Sequence, residues 1–275
     1  MSYFNNHSVI FNVVHNKILA NKYRLKSVGK HGKISLAELK NDLTIIPKNM
    51  SAIFICDGKV VGGVVRKVAK NNVSSYFGAM MKVTTNAHRP FKRGKAHAGS
   101  GIMVGHGLRR DPHGSLPGNY VYKEKLNPEA KKIYDSDGNT LANWIYESAR
   151  SNLSWITISY EEFKRKVKFD EDKIIGALFC TKNYEAIGHS DDDRSDWALG
   201  YVYEDGIVKD GLFFYPEYGV AIEMASNSMW YWMSQAVHGT AKLDLSEGGN
   251  RFTAVITLTE RTANAIEKLP ILKNL

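Results

Sequence analysis

Cysteine, proline and long apolar runs are all scarce in this sequence of 275 residues. The two cysteines, Cys56 and Cys180, are too few for a disulfide scaffold or a structural zinc site, and they favour a reducing, intracellular setting. Seven prolines and no low-complexity tract argue against a disordered chain. No run of about 18 apolar residues occurs, which excludes a transmembrane helix. The polar residues among positions 1–20 argue against a signal peptide.

Acidic residues are missing from the stretch 82–110. Residues 61–150 contain 15 basic and six acidic residues, and the rest of the chain carries 22 of each sign. The whole net charge of +9 therefore lies in one segment. A concentrated basic segment favours a polyanion, with nucleic acid first, while the alternative is a solvated surface that promotes solubility.

The hydrophobic pattern predicts an α+β fold. Residues 52–65 predict two strands joined at Asp57-Gly58, and residues 140–151 predict a helix packed on a core. Residues 86–119 are rich in Gly, His, Arg and Pro, and we expect a long loop there. From about residue 173, short strands separated by Gly and Pro turns indicate a β-sandwich or barrel.

The pattern that carries chemistry begins at His189-Ser190-Asp191. Side chains two apart in a strand point to one face, so His189 and Asp191 can aim a nitrogen and an oxygen at one point. His238 follows 49 positions later, a length that lets the chain cross a small barrel and return to the same mouth. Two histidines and one carboxylate form the facial triad of non-haem Fe(II) oxygenases.

Arg251 opens an alternating strand 13 positions after His238. Its planar guanidinium suits a dicarboxylate co-substrate, which it can hold through two charge-assisted hydrogen bonds.

The order His189-x-Asp191, His238, Arg251 resembles that of the Fe(II)/2-oxoglutarate-dependent dioxygenases over roughly residues 170–260. Within that superfamily, the segment 211–219, followed by Trp230 and His238, is similar to the TET/J-binding-protein group of nucleic-acid oxygenases. The resemblance implies a double-stranded β-helix (jelly-roll) core with flanking helices and an N-terminal basic strand and loop region.

The resemblance also implies a division of the chain. We expect a single catalytic domain over 1–275, in which 1–170 holds helices, strands and the basic substrate-binding region. The β-helix core with the metal motif would span 171–260, and a C-terminal helix would span 261–275. We treat the chain as a monomer.

The resemblance further implies cofactors and residue roles. Fe(II) would be held by His189, Asp191 and His238, with O2 as the oxidant. The co-substrate 2-oxoglutarate would chelate the iron, with its distal carboxylate held by Arg251 and with Thr253 as a hydroxyl donor on the same face.

For the substrate, the resemblance implies a methylated nucleobase that is oxidised by hydrogen abstraction from its methyl group. We expect 5-methylcytosine in DNA, with N6-methyladenine second and RNA less favoured than DNA. The partner would place the protein inside the cell, in the nucleus of a eukaryote. The residues expected to contact nucleic acid lie in the basic segment: Lys82, Asn86, His88, Arg89, Lys92, Arg93, Lys95, Arg109 and Arg110.

An extruded base would need an aromatic partner, for which Tyr120, Tyr122, Trp230 and Tyr231 are candidates. For Trp230 and Trp232 we favour simple packing, because aromatics at strand positions beside a core mostly pack. Three other functions stay open. They are a 2-oxoglutarate-dependent hydroxylase of a small molecule or protein side chain, a non-catalytic cupin-like binding module, and a DNA oxygenase that uses another reductant.

Overall fold

A computed structural model describes residues 8–29, 32–91, 100–111, 116–169 and 175–269. Its strands are β1 (Ser8–Asn12), β2 (Thr44–Ile46), β3 (Ser51–Cys56), β4 (Lys59–Arg66), β5 (Ile102–Arg110), β6 (Pro117–Asn119), β7 (Ala177–Lys182), β8 (Ala186–His189), β9 (Trp197–Asp205), β10 (Leu212–Tyr215), β11 (Val220–Glu223), β12 (Ser228–Met233), β13 (His238–Thr240) and β14 (Asn250–Thr257). Its α-helices are α1 (Lys17–Tyr23), α2 (Leu36–Asp42), α3 (Asn71–Ala87), α4 (Pro128–Asn152), α5 (Ile158–Val167) and α6 (Glu260–Glu267).

Two sheets form the centre of the molecule. The larger has nine strands in the order β1-β3-β4-β12-β9-β14-β7-β5-β6, and the smaller has five in the order β2-β11-β10-β13-β8. Most neighbours are antiparallel, while β1·β3 and β2·β11 are parallel. Side chains of both sheets meet in one buried cluster, where Phe54 and Val64 of the large sheet pack with Phe213 of the small one. This is the arrangement of a β-sandwich.

Side chains of β14 point alternately to the two faces of the large sheet, one covered by helices and one facing the small sheet. Phe252, Ala254 and Ile256 belong to the core cluster under the helices, together with residues of α3, α4 and α6. The residues between them, from Arg251 to Thr257, face the space between the sheets. The alternation predicted for this segment is therefore confirmed, and it places polar side chains where a ligand can reach them.

The predicted hairpin is present at β3 and β4. Asp57 and Gly58 both have positive φ angles, of 49° and 74°, as a two-residue type I′ turn requires. The predicted helix is also present, but it is longer than 140–151. It starts at Pro128, because the Asn127 side chain caps it by accepting from the Ala130 N–H.

The expectation of one long loop over 86–119 is wrong. Strand β5 crosses this segment and pairs with β7 over six residues, and β6 pairs with β5. The sequence pattern missed this strand because glycine has a low β-propensity. The fold nevertheless needs glycine at position 105 of β5. A Cβ there would lie 2.7 Å from the ring of Tyr120.

The described helices share one further property. None of them is both long and apolar enough to cross a lipid bilayer.

Candidate metal centre

Two histidines of the small sheet stand directly opposite each other. His189 ends β8 and pairs with His238 at the start of β13. Their rings lie with centroids 4.5 Å apart. Each Nδ1 lies near a carbonyl two residues earlier, His189 Nδ1 2.7 Å from Ile187 O and His238 Nδ1 2.8 Å from Ala236 O. A carbonyl only accepts, so each Nδ1 carries the proton and each Nε2 is left with its lone pair.

Asp191 completes the group from a loop. Strand β8 ends at His189, so the face rule for strands does not place this carboxylate. Its backbone N–H instead donates to Ser234 O at 2.9 Å. The carboxylate oxygens then lie 3.5 Å from His189 Nε2 and 3.3 Å from His238 Nε2.

These three side chains fit a metal ion. One ligand atom from each lies within 4.8 Å of the others. Nitrogen and oxygen ligands lie about 2.1 Å from a transition metal, so two of them at right angles are about 3 Å apart. The carbonyl bonds to Nδ1 fix the tautomers, as outer contacts of metal-bound histidines do. Two imidazoles and a carboxylate are the donors of a facial iron triad.

A second carboxylate lies near the triad. Asp193 follows Asp191 by two positions and is buried, with 5% of its surface exposed. Thr257 Oγ1 donates to it from β14, and burial raises the pKa of its carboxyl to about 6, with the charge of Asp191 adding to the effect. Asp193 therefore links the loop that carries Asp191 to strand β14 of the large sheet.

The triad lies at a cavity of about 400 Å³ between the sheets. Its lining is mostly apolar and includes Phe91, Met103, Phe179, Tyr184, Phe213, Met224, Trp230, Trp232, Arg251, Thr253 and Val255. A concave, largely apolar site with a few convergent polar groups is typical of small-ligand binding.

Arg251 and Thr253 both line this cavity. Arg251 is 3% exposed, and Glu204 Oε1 accepts from its Nε and Nη2 at 3.0 and 2.6 Å. Gly211 O and Met224 O accept two further hydrogen bonds. Burial lowers the pKa of Arg251, and Glu204 opposes that effect. The hydroxyls of Thr253 and Thr181 lie 2.6 Å apart on neighbouring strands.

Glu217 supports the second histidine and was missed in the sequence. It follows β10 in a short 3-10 turn, and its Oε2 accepts from the Val237 N–H at 2.8 Å, one residue before His238. His15 Nε2 lies 2.8 Å from its other oxygen. A lone Glu in a Pro-Glu-Tyr turn carries no sequence signal for this role.

The residues of the basic segment differ in exposure and in their contacts. Asn86, Arg89 and Arg110 are exposed. Lys82 pairs with Asp205 at 2.6 Å, and the Arg109 guanidinium lies 5.4 Å from the centre of the Tyr120 ring. Three further predicted contacts, Lys92, Arg93 and Lys95, lie outside the described residues.

His88 differs from the other predicted contacts because it is 1% exposed. Its Nδ1 lies 3.2 Å from Thr84 O, and its Nε2 lies 3.4 Å from Nδ1 of His106. Such burial does not support contact with a base. Instead, the pair forms the floor of a second cleft, bordered by Lys123, Lys125 and Lys131.

Comparison with known proteins gives a match at the level of structure. No protein-family model matches the sequence, and no curated protein matches it. The structure of NgTET1 in complex with 5mC DNA superimposes with a TM-score of 0.55 at 11% identity, over 90% of this chain and 92% of that one.

Two looser matches add no weight. An oxidoreductase of the 2OG-Fe(II) oxygenase family from Burkholderia pseudomallei has a TM-score of 0.41 at 10% identity, over 84% of this chain and 94% of that one. A Pseudomonas putida prolyl-4-hydroxylase has a TM-score of 0.37 at 9% identity, over 72% of this chain and 92% of that one.

The prediction of a jelly-roll core with flanking helices is confirmed, and the fold of this chain is the fold of NgTET1.

Proposed function

We propose that this protein is an Fe(II)- and 2-oxoglutarate-dependent dioxygenase that oxidises a methylated nucleobase, with 5-methylcytosine in DNA as the first candidate and N6-methyladenine as the second. The observation that carries the proposal is the convergence of His189, Asp191 and His238 at one cavity, with both Nε2 atoms facing the carboxylate. The sequence separates the two histidines by 49 positions, so only a specific fold brings them together.

The residues of the cavity fit the proposed cofactors. Fe(II) would be held by the triad, and 2-oxoglutarate would extend towards Arg251 and Thr253. With O2, these cofactors supply the oxidising power that removes hydrogen from a C–H bond. The chain itself fixes the histidine tautomers through Ile187 O and Ala236 O, and its apolar lining excludes water.

The cavity rim supports a nucleic-acid substrate. Phe91 and Phe179 line the cavity, and their rings contact the ring of Tyr120. Tyr120 also borders the second cleft and lies under Arg109, so the aromatic rim is continuous with the basic surface. A base must leave its stack to reach a buried metal, and aromatic rings bind extruded bases while cations bind phosphates. NgTET1, which shares this fold, forms a complex with 5mC DNA, in agreement with this choice.

The domain organisation is part of the proposal. We infer that residues 1–275 act as one catalytic domain, because strands from 1–170 share the nine-stranded sheet with strands from 171–260. Residues 261–275 would close the domain, with helix α6, Glu260–Glu267, at the start of this segment.

Mass spectrometry of nucleosides tests this function. Purified protein with Fe(II) and 2-oxoglutarate is incubated with DNA that carries 5-methylcytosine or N6-methyladenine, and with methylated RNA. We expect an oxidised 5-methylcytosine product that is absent with His238→Ala. Succinate formation without any modified nucleoside would instead support hydroxylation of a small molecule or a protein side chain. Metal binding without succinate formation would contradict the proposed co-substrate.

A further inference from the structure

Two threonine hydroxyls form a small polar group on the wall of the cavity. Thr181 of β7 and Thr253 of β14 are paired in register, and both line the cavity. Their Oγ1 atoms lie 2.6 Å apart, which is the distance of a short O–H···O hydrogen bond. Thr181 is only 2% exposed, whereas Thr253 is half-buried. Of the two, Thr253 therefore presents the larger surface to a ligand.

The two hydroxyls hold two protons but share one hydrogen bond. Each threonine hydroxyl has a single O–H to donate, so only one of the two protons lies between the oxygens. Among the described residues, neither hydroxyl oxygen has a second hydrogen-bond partner. One O–H of the pair is therefore available to a ligand.

The neighbours of the pair in the large sheet are apolar. Met103 of β5 pairs with Thr181, and Val202 of β9 pairs with Thr253. Val255 is the next residue of β14 that lines the cavity on one side of the pair. None of these three side chains carries an oxygen or a nitrogen. The remaining O–H consequently has no oxygen acceptor on this part of the wall.

Arg251 is the next cavity-lining residue of β14 on the other side of the pair. The rise of a strand places its Cα about 6–7 Å from that of Thr253. Four of its five guanidinium N–H groups bond to Glu204, Gly211 and Met224, which leaves one for a ligand. A carboxylate bound at this end has two oxygens, and Arg251 alone supplies a single donor. The hydroxyl pair lies beside it and can supply the second.

We propose that Thr181 is a positioning residue, whose hydroxyl donates to Thr253 Oγ1 and so directs the Thr253 O–H to the distal carboxylate of bound 2-oxoglutarate. This inference rests on the proposed function, which assigns the direct contact to Thr253. The direction of donation follows from exposure, because the opposite direction would leave the remaining O–H on the buried Thr181. The hydrogen bond that Thr253 accepts also polarises its hydroxyl and makes it a stronger donor.

Binding of 2-oxoglutarate to the Zn(II)-loaded protein tests the proposal in calorimetry without turnover. Thr253→Val removes the direct donor and should weaken binding about tenfold, as loss of a hydrogen bond to a charged group does. Thr181→Val should weaken binding about threefold, because the Thr253 O–H is then divided among three staggered orientations. The affinity for Zn(II) should stay unchanged in both variants.

The double variant separates positioning from a direct or structural role. A residue that acts through its partner contributes nothing once the partner's hydroxyl is gone. Thr181→Val combined with Thr253→Val should therefore bind 2-oxoglutarate as Thr253→Val does. Two independent contributions would instead multiply to about thirtyfold.

Two further substitutions separate the hydroxyl of Thr181 from its packing. Serine keeps the O–H and lacks the methyl group, so Thr181→Ser should bind 2-oxoglutarate within a factor of two of the wild type. Alanine lacks both groups, and Thr181→Ala should match Thr181→Val. Thermal melts under the conditions of the titration establish that each variant is folded.

Three outcomes among the variants would overturn the inference. In the first, Thr181→Val binds 2-oxoglutarate as tightly as the wild type. In the second, Thr181→Val weakens binding to the same extent with and without the Thr253 hydroxyl. In the third, Thr181→Ser binds as weakly as Thr181→Val, which would show a packing role. A wild type that binds Zn(II) but not 2-oxoglutarate would overturn the proposed function together with this inference, whereas the three variant outcomes leave the co-substrate in place.

Discussion

The described part of the chain contains two pairs of histidines in ring contact, and the pairs use their nitrogens differently. In the cavity, His189 and His238 direct Nδ1 to backbone carbonyls and leave both Nε2 atoms facing Asp191. In the cleft, His88 and His106 bond to each other, and Thr84 O and Asn139 engage the outer nitrogens. The first pair directs lone pairs towards the carboxylate, while the nitrogens of the second pair face each other and neighbouring protein groups.

Burial also sets the charge state of the cleft pair. Burial is the main cause that lowers the pKa of His88 to about 4 and lowers that of His106. Both rings of the cleft are therefore neutral near pH 7. A histidine pair is evidence for a metal site only where its nitrogens remain available, and that property depends on the backbone carbonyls beside it.

Removing one imidazole from each pair gives the largest expected contrast. His238→Ala should abolish metal binding and turnover and leave binding to DNA nearly intact. His106→Ala should keep metal binding but lower the free energy of unfolding by about 1–3 kcal/mol, because His88 and Asn139 lose a buried partner. Metal titration and thermal melts of both variants check this. Equal loss of metal affinity in the two variants would contradict the distinction.

Arg251→Lys tests the far end of the cavity. Four of the five guanidinium N–H groups bond to Glu204, Gly211 and Met224, and lysine cannot keep those bonds and also direct a further N–H to the co-substrate. We therefore expect 2-oxoglutarate to bind about tenfold more weakly while metal affinity stays within a factor of two. Calorimetry with Zn(II)-loaded protein measures both constants. A variant that binds 2-oxoglutarate like the wild type would remove Arg251 from the co-substrate site.

Charge reversal tests the basic surface next to the cleft. Arg89→Glu together with Arg110→Glu should weaken DNA binding about tenfold or more. It should also make the slope of log K against log salt less steep by about 2, since each phosphate contact contributes about 0.9. The double reversal Lys17→Glu and Lys59→Glu is the matched control on exposed lysines outside the basic segment. An equal effect of both pairs would indicate net charge rather than a located interface.

The stability of the cleft should depend on pH in a defined direction. The pKa of His88 is lower in the folded protein, about 4, than the value of about 6.5 in an unfolded chain. As pH falls, the unfolded chain therefore takes up a proton at His88 before the folded protein does. The contribution of His88 to the free energy of unfolding is complete above about pH 6.5 and is lost between about pH 6.5 and pH 4. His106, Asp135 and Tyr122 surround the ring and stay in place in His88→Asn. Thermal melts between pH 7 and 4 should show a smaller decline for His88→Asn, and parallel curves would contradict the assignment.

Local patterns predicted part of this structure well. The Asp57-Gly58 hairpin and the alternation along β14 depend on neighbours in sequence, and both are present. The polar residues facing the cavity could be identified for the same reason. The segment that contains β5 was missed, because a glycine-rich strand has little β-propensity and is stabilised by its partner β7.

The candidate site was likewise predictable where it depends on residue types and their order, and not where it depends on long-range contacts. The order of His189, Asp191, His238 and Arg251 indicated the chemistry, because few sets of side chains combine two imidazoles, a carboxylate and a guanidinium in this way. The roles of Glu217 and Asp193 could not be predicted, since each depends on a contact between residues distant in sequence.

By itself, the sequence determined the strand pattern, the location of the positive charge and the identity of the candidate metal ligands. Only the tertiary structure decided which histidines turn Nε2 towards the Asp191 carboxylate and that Arg251 is partnered by Glu204. The physical reason is that side-chain identity sets which interactions are possible. Burial and hydrogen-bond partners, which arise from long-range packing, set which of those interactions remain available to a ligand.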